Sequence, residues 1–202
     1  MRYPEFFDQV PSITFYDPLA EFLGAAEGGR MEYRYADAVK LAGHSCPTIA
    51  SAYLMTGKAL QALYPDTLPE RGAVRARFRQ AATAGVTGVI ANVVTLLTGA
   101  TADTGFKGIA GRFERRNLLS FGADIGGEIR FTRLDSGAAV DVSADLSKIP
   151  AAAEMRSLMG LCLSGEATAQ QAQEFGRLWQ ERVRSLLLDF RDDPQVIVVR
   201  PV

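Results

Sequence analysis

The chain has 202 residues, 48% hydrophobic and 22% charged, which is the size and make-up of one globular domain and excludes collagen-like, coiled-coil and wholly disordered chains. Lys plus Arg number 22 against 23 Asp plus Glu, so a net charge of −1 gives no electrostatic reason to expect nucleic acid or an anionic membrane as partner. No apolar run reaches the roughly 18 residues of a membrane span, and the polar start MRYPEFFDQVPS lacks the apolar stretch of a signal peptide, so the expectation is a soluble cytoplasmic protein. Cys46 and Cys162 cannot build a multi-bridge framework and are read as thiols.

In chain order, Ser12 to Tyr16 is a β-rich run, and Asp17-Pro18 supplies an N-cap and a first-turn proline for a short helix over Leu19 to Leu23. Met31 to Tyr35 alternates like a strand, and Ala36 to Ala42 predicts a short helix stopped at Gly43. A long helix follows from Pro47 to about Leu63, closed by Tyr64-Pro65. Ala73 to Gln80 alternates strictly, with Val74, Ala76 and Phe78 on one face and Arg75, Arg77 and Arg79 on the other. Gly85 to Leu97 is apolar enough for a buried helix, interrupted by Asn92 and ended by Thr98-Gly99. Four β-type runs come next, at Lys107 to Arg112, Asn117 to Phe121, Glu128 to Leu134 and Ala138 to Val142, with Asp135-Ser136-Gly137 turning between the last two. The stretch 150–202 reads as a helical extension: a helix from Pro150 to Leu163, another opened by the Thr168/Gln171 capping box, and a final strand at Gln195 to Val199. Antiparallel hairpins with helices before and after predict an α+β fold, a mainly antiparallel sheet packed with helices.

The chemistry concentrates in Gly43-His44-Ser45-Cys46-Pro47. His44 is the sole histidine, and it stands two residues before one of the two cysteines. Pro47 at the first helical position makes Cys46 the N-cap, where free backbone N–H groups and the helix dipole stabilise a thiolate, the form that acts as nucleophile or metal ligand. The pair can therefore supply two ligands of a zinc or iron site, or a cysteine nucleophile with a histidine base. A buried packing role for both residues is the competing reading.

The segment GHSCPTIASAYLMTGKAL resembles the signature of the FmdE family, named for one of the components of formylmethanofuran dehydrogenase, in which Gly-His-x-Cys-Pro-Gly opens a long helix. Thr98-Gly99-Ala100-Thr101, then Gly105 and Lys107, resemble the family's Thr-Gly-Cys-Thr stretch and the Gly-rich turn before its hairpin, so the likeness spans about Arg34 to Val142. The resemblance implies an α+β core forming an intertwined homodimer, with a metal or reactive site at His44 and Cys46. This chain departs from the pattern at four places. Thr48 stands where the family commonly has Gly, Ala100 where it has Cys, and a further family cysteine and acidic residue fall near Val89 and Asn92. A Cys-rich C-terminal finger is also missing.

Other candidates carry two readings each. Asn92 and Thr98, on or just after an apolar helix, are either pocket residues binding a cofactor or small-molecule ligand, or buried groups with structural hydrogen bonds. Asp103, Thr104, Gly105 and Lys107 form a turn that either contacts an anion or merely connects two elements. Asp37 either orients the His44 imidazole or is exposed helix charge. The arginines at 75, 77 and 79, and at 112, 115 and 116, either grip a carboxylate or phosphate or face water. Trp179 with Phe175 and Leu178 reads as core or dimer seam.

The first functional reading is a metal-binding protein in which His44 and Cys46 hold a divalent ion, zinc first and iron second, with an open position for water or substrate. Its link to one-carbon or redox metabolism is implied by the resemblance alone. The second is a non-catalytic accessory subunit holding a metal, a cofactor or a partner enzyme. A third is metal-free thiol chemistry with His44 as base to Cys46.

Overall fold

The chain packs its long central helix against one face of an antiparallel sheet, as the computed structural model shows for residues 3–202, the residues it describes. Strand β1 (Ile13–Tyr16) and β2 (Arg30–Tyr33) form a separate antiparallel pair, Phe15 opposite Met31. Between them lies α1 (Pro18–Phe22), whose N-cap Asp17 accepts the N–H groups of Leu19 and Ala20 at 2.9 and 3.2 Å, as its sequence predicts.

Helix α2 (Tyr35–Ala42) begins one residue earlier than its hydrophobic pattern suggests. The Arg34 N–H donates to the carboxylate of Asp37 at 2.9 Å, and this cap draws Tyr35 out of the preceding strand into the helix. Gly43 closes α2 with φ at +76°, a backbone region that glycine enters without steric cost. Helix α3 (Pro47–Leu63) has the bounds its sequence predicts. Its sole charged residue is Lys58, and Ile49, Ala50, Ala52, Met55 and Ala59 are fully buried. Each large side chain among these contributes about 1.5–3 kcal/mol on leaving water, which is why the helix is stable in this position rather than on propensity alone.

The main sheet runs in the order β4 (Leu119–Ser120), β3 (Val74–Phe78), β5 (Ile129–Arg133), β6 (Ala139–Ala144) and β7 (Ile197–Pro201). Only the β3–β4 pairing is parallel. Val74, Ala76 and Phe78 face the core, with Ile129, Phe131, Val140 and Val142 beside them, and α3 lies across β5, β6 and β7. Helix α4 (Thr87–Thr98) packs on α2 and α3. The fold is α+β, with six α-helices among the described residues, and none of its helices is long and apolar enough to cross a membrane.

Two predicted elements differ. Lys107 to Arg112 is a loop closed by a single bridge between Ile109 and Arg112, because Gly108, Ala110 and Gly111 all take positive φ and cannot continue an extended strand. Helix α5 (Met155–Ser164) starts five residues after Pro150, and Met155 is its one buried residue, so the helix begins where packing begins. It pairs with α6 (Ala169–Arg184), opened by the expected Thr168–Gln171 box at 3.2 and 2.8 Å.

Candidate functional site

The Gly43–Pro47 turn joins the left-handed end of α2 to the first turn of α3, so His44, Ser45 and Cys46 are presented on a connection fixed at both ends. Cys46 is the N-cap of α3 in extended conformation, and its side chain makes no capping hydrogen bond. The sulfur is therefore not spent on the helix end. Cys46 is 7% exposed and belongs to the core, whereas His44 is exposed. His44 Nδ1 lies 3.0 Å from the Ala42 carbonyl oxygen. A carbonyl only accepts, so Nδ1 carries the proton, and Nε2 keeps its lone pair for a metal ion or a proton.

Two donors from α6 hold the centre of the turn. Trp179 Nε1–H and the Gln180 Nε2 amide both donate to the Ser45 carbonyl, at 2.9 and 3.2 Å, and Gln180 Oε1 is buried without a partner. Beneath the turn, the Tyr35 hydroxyl and Ser45 Oγ lie 2.9 Å apart. Burial pushes the Tyr35 hydroxyl well above the ordinary tyrosine range, so it is a neutral phenol beside Cys46. Trp179 is thus a clamp on the motif and not merely core. Its separation of 134 residues from Ser45 left no local signal for this role in the sequence.

The remaining candidates disperse. Asn92 is exposed on α4, which removes the buried pocket position expected of it, because the helix turns Val93 and Val94 inward instead. Thr98 is buried, and its hydroxyl donates its one proton to the Val94 carbonyl at 2.7 Å and accepts the Ala100 N–H at 3.1 Å, so it finishes the helix. Lys107 lies exposed in the loop. Asp37 is occupied by Lys40 at 3.0 Å and by the Arg34 N–H, and is not the group that orients His44. Arg79 donates to the carbonyls of Ile125 and Gly126, while Arg75 is exposed on the open sheet face. Cys162 is a free thiol like Cys46.

Among the described residues no three His, Cys, Asp or Glu side chains come together as a metal cluster. One chain therefore offers two donors at this turn, half of a tetrahedral zinc set. Neither His44 nor Cys46 lines the cavities of ≈ 480 and ≈ 410 Å³ elsewhere on the molecule. Compared with protein-family models and with curated proteins, the chain finds no match.

Proposed function

We propose that this protein is an FmdE-like metal-binding protein in which His44 Nε2 and Cys46 Sγ are two ligands of a divalent ion, zinc ahead of iron. The observation that carries this reading is the bond from His44 Nδ1–H to the Ala42 carbonyl, 3.0 Å, because a backbone carbonyl on one ring nitrogen is the usual device that frees the other for a metal. The clamp of Trp179 and Gln180 on Ser45 supports it, since it keeps the backbone between the two ligands in place. The rest of the coordination sphere comes from water, from a small-molecule ligand, or from the second copy in a homodimer.

A zinc ion there supplies Lewis acidity. The chain's own part is to fix the imidazole tautomer through Ala42, to keep the Cys46 sulfur away from bulk water, and to hold a neutral phenol, Tyr35, at the floor of the turn. On this reading the protein is a metalloenzyme whose substrate enters at an open coordination position. The cytoplasm is its proposed location. A second reading, a non-catalytic subunit holding a metal or cofactor for a partner, is favoured by one observation: the large cavities are lined by residues other than His44 and Cys46.

Metal analysis of untagged protein purified without added metal tests the proposal. The expected result is near-stoichiometric zinc or iron per chain, or per pair of chains, that is lost in both His44→Ala and Cys46→Ser. Metal-free protein that also fails to take up zinc on dialysis contradicts it.

A further inference from the structure

A second polar cluster, sharing no residue with the His44 turn, surrounds Asp17. Arg115, 5% exposed, donates from Nη2 to Asp17 Oδ1 at 2.8 Å, yet its buried Nη1 has no acceptor. Asp17 is already committed elsewhere: Arg71 Nη1 binds Oδ2 at 3.1 Å, and the first N–H groups of α1 bind Oδ1. One carboxylate thus answers two guanidiniums. Burial draws Arg115 below the ordinary arginine range, with Arg71 adding to that against the pull of Asp17. A buried cation without full compensation is costly unless another anion completes the set.

The surroundings are shaped to admit that guanidinium. A Cβ at Gly72 would lie 2.5 Å from Arg115 Nη1, and one at Gly99 2.6 Å from the same atom, so both positions need glycine for this contact. A cavity of ≈ 320 Å³ opens on the same groups, walled by Arg71, Gly72, Arg112 and Arg115 together with Glu70 and Glu114. Glu114 is taken by Arg116 at 2.6 Å and Asp17 is already shared by Arg71 and Arg115, so of the acids on the wall Glu70 alone is left to balance Arg112. Arg112 lies over the Phe113 ring at 4.7 Å, and that contact presents its guanidinium to the cavity wall. The wall is also strained. Phe113, on the wall, takes left-handed backbone, as do Ala110 and Asn117 elsewhere in the same loop, the three such non-glycine residues among the described residues, and such strain collects where a ligand is clamped.

We propose that this cavity binds a small oxyanion, a carboxylate or a phosphate, whose oxygens accept from the unpartnered edge of Arg115 and from Arg112. Planar guanidiniums match both oxyanions in two-point fashion. Glu70 favours an oxyanion that also carries a hydroxyl, which it can accept from, so hydrogen phosphate and a 2-hydroxycarboxylate fit better than a bare carboxylate.

Calorimetric titration of the full chain with inorganic phosphate, glycolate and acetate tests this, with wild type beside Arg112→Gln and, as a control on the open sheet face, Arg75→Gln. The expected result is saturable single-site binding of phosphate or glycolate, tighter than acetate, weakened roughly tenfold by Arg112→Gln and unchanged by Arg75→Gln. Binding of phosphate alone or glycolate alone identifies the source of the oxyanion. Absence of binding by either, or binding that Arg112→Gln leaves intact, overturns the proposal, and both variants replace exposed side chains so that folding does not confound the reading.

Discussion

At the turn before α3, two residues able to bind a cation, exposed His44 and buried Cys46, stand two positions apart with too few companions, whereas around Asp17 two guanidiniums stand with too few acids. The two clusters differ most in what the rest of the fold has invested in them. The Asp17 cluster ties β1, α1, the start of β3 and the loop after α4 into one buried network, so it is part of the stability of the chain. The His44 side chain is exposed, and its turn is held through the Ser45 backbone, so the imidazole is free to serve chemistry without holding the fold. The lesson is that what a buried or exposed group leaves unpartnered after folding, the Cys46 sulfur and His44 Nε2 in one cluster and Arg115 Nη1 in the other, is what it can offer a ligand.

This contrast can be broken by mutation. Asp17→Ala leaves buried Arg115 without its acid, removes the ion pair of Arg71, which keeps its bonds to the Leu96 and Leu97 carbonyls, and uncaps α1, and is expected to cost about 3–5 kcal/mol in urea denaturation, the largest effect in the series. The same carboxylate gives a pH signature. Burial pushes Asp17 up, but the Ala20 N–H and the two arginines outweigh it and hold the group below the usual carboxylate range. Its contribution is therefore complete above the unfolded carboxylate value, roughly 3.9, and is lost as pH falls through the lower folded value. The stability gap between wild type and Asp17→Ala is expected to narrow only below about pH 4. An unchanged gap down to pH 2, roughly, would assign the loss to packing instead.

Glycine substitutions sharpen the comparison. Gly72→Ala combines positive φ with displacement of Arg115 and is expected to cost about 3 kcal/mol, whereas Gly43→Ala, at φ +76° with open space around it, is expected to cost about 1 kcal/mol. Equal costs at the two positions would show that Arg115 moves aside freely. Smallest of all, in metal-free protein His44→Ala and Asn92→Ala remove exposed side chains and are expected to shift stability by no more than about 0.5 kcal/mol, with Asn92→Ala also leaving metal content unchanged.

The sequence carried most of the architecture because its punctuation is local. Asp17-Pro18, Gly43, Pro47 and Thr168 each act within one helical turn, and the elements they bound sit where the pattern places them. The failures have the same origin in reverse. Lys107 to Arg112 reads as a β-type run, yet left-handed Ala110 and its neighbouring glycines bend it into a loop that leads to Arg115, whose partner Asp17 lies 98 residues away. Likewise, both readings of Asn92, pocket residue or buried structural hydrogen bond, put it inside an apolar helix, and only the packing of α4 on α2 and α3 decides that it turns outward. At the His44 turn the two donors were legible from spacing, but the Trp179 and Gln180 clamp, like the Arg115 contact, depends on distant chain and had no local signal.

Cobalt(II) titration followed by optical absorption tests the central claim most directly, because a thiolate ligand gives cobalt an intense near-ultraviolet charge-transfer band that other donors do not. The expected result is a saturable band in the wild type, abolished by Cys46→Ser and weakened by His44→Ala, with Cys162→Ser indistinguishable from wild type. A band that survives Cys46→Ser, or no band in the wild type, would contradict a metal site at the His44–Cys46 turn.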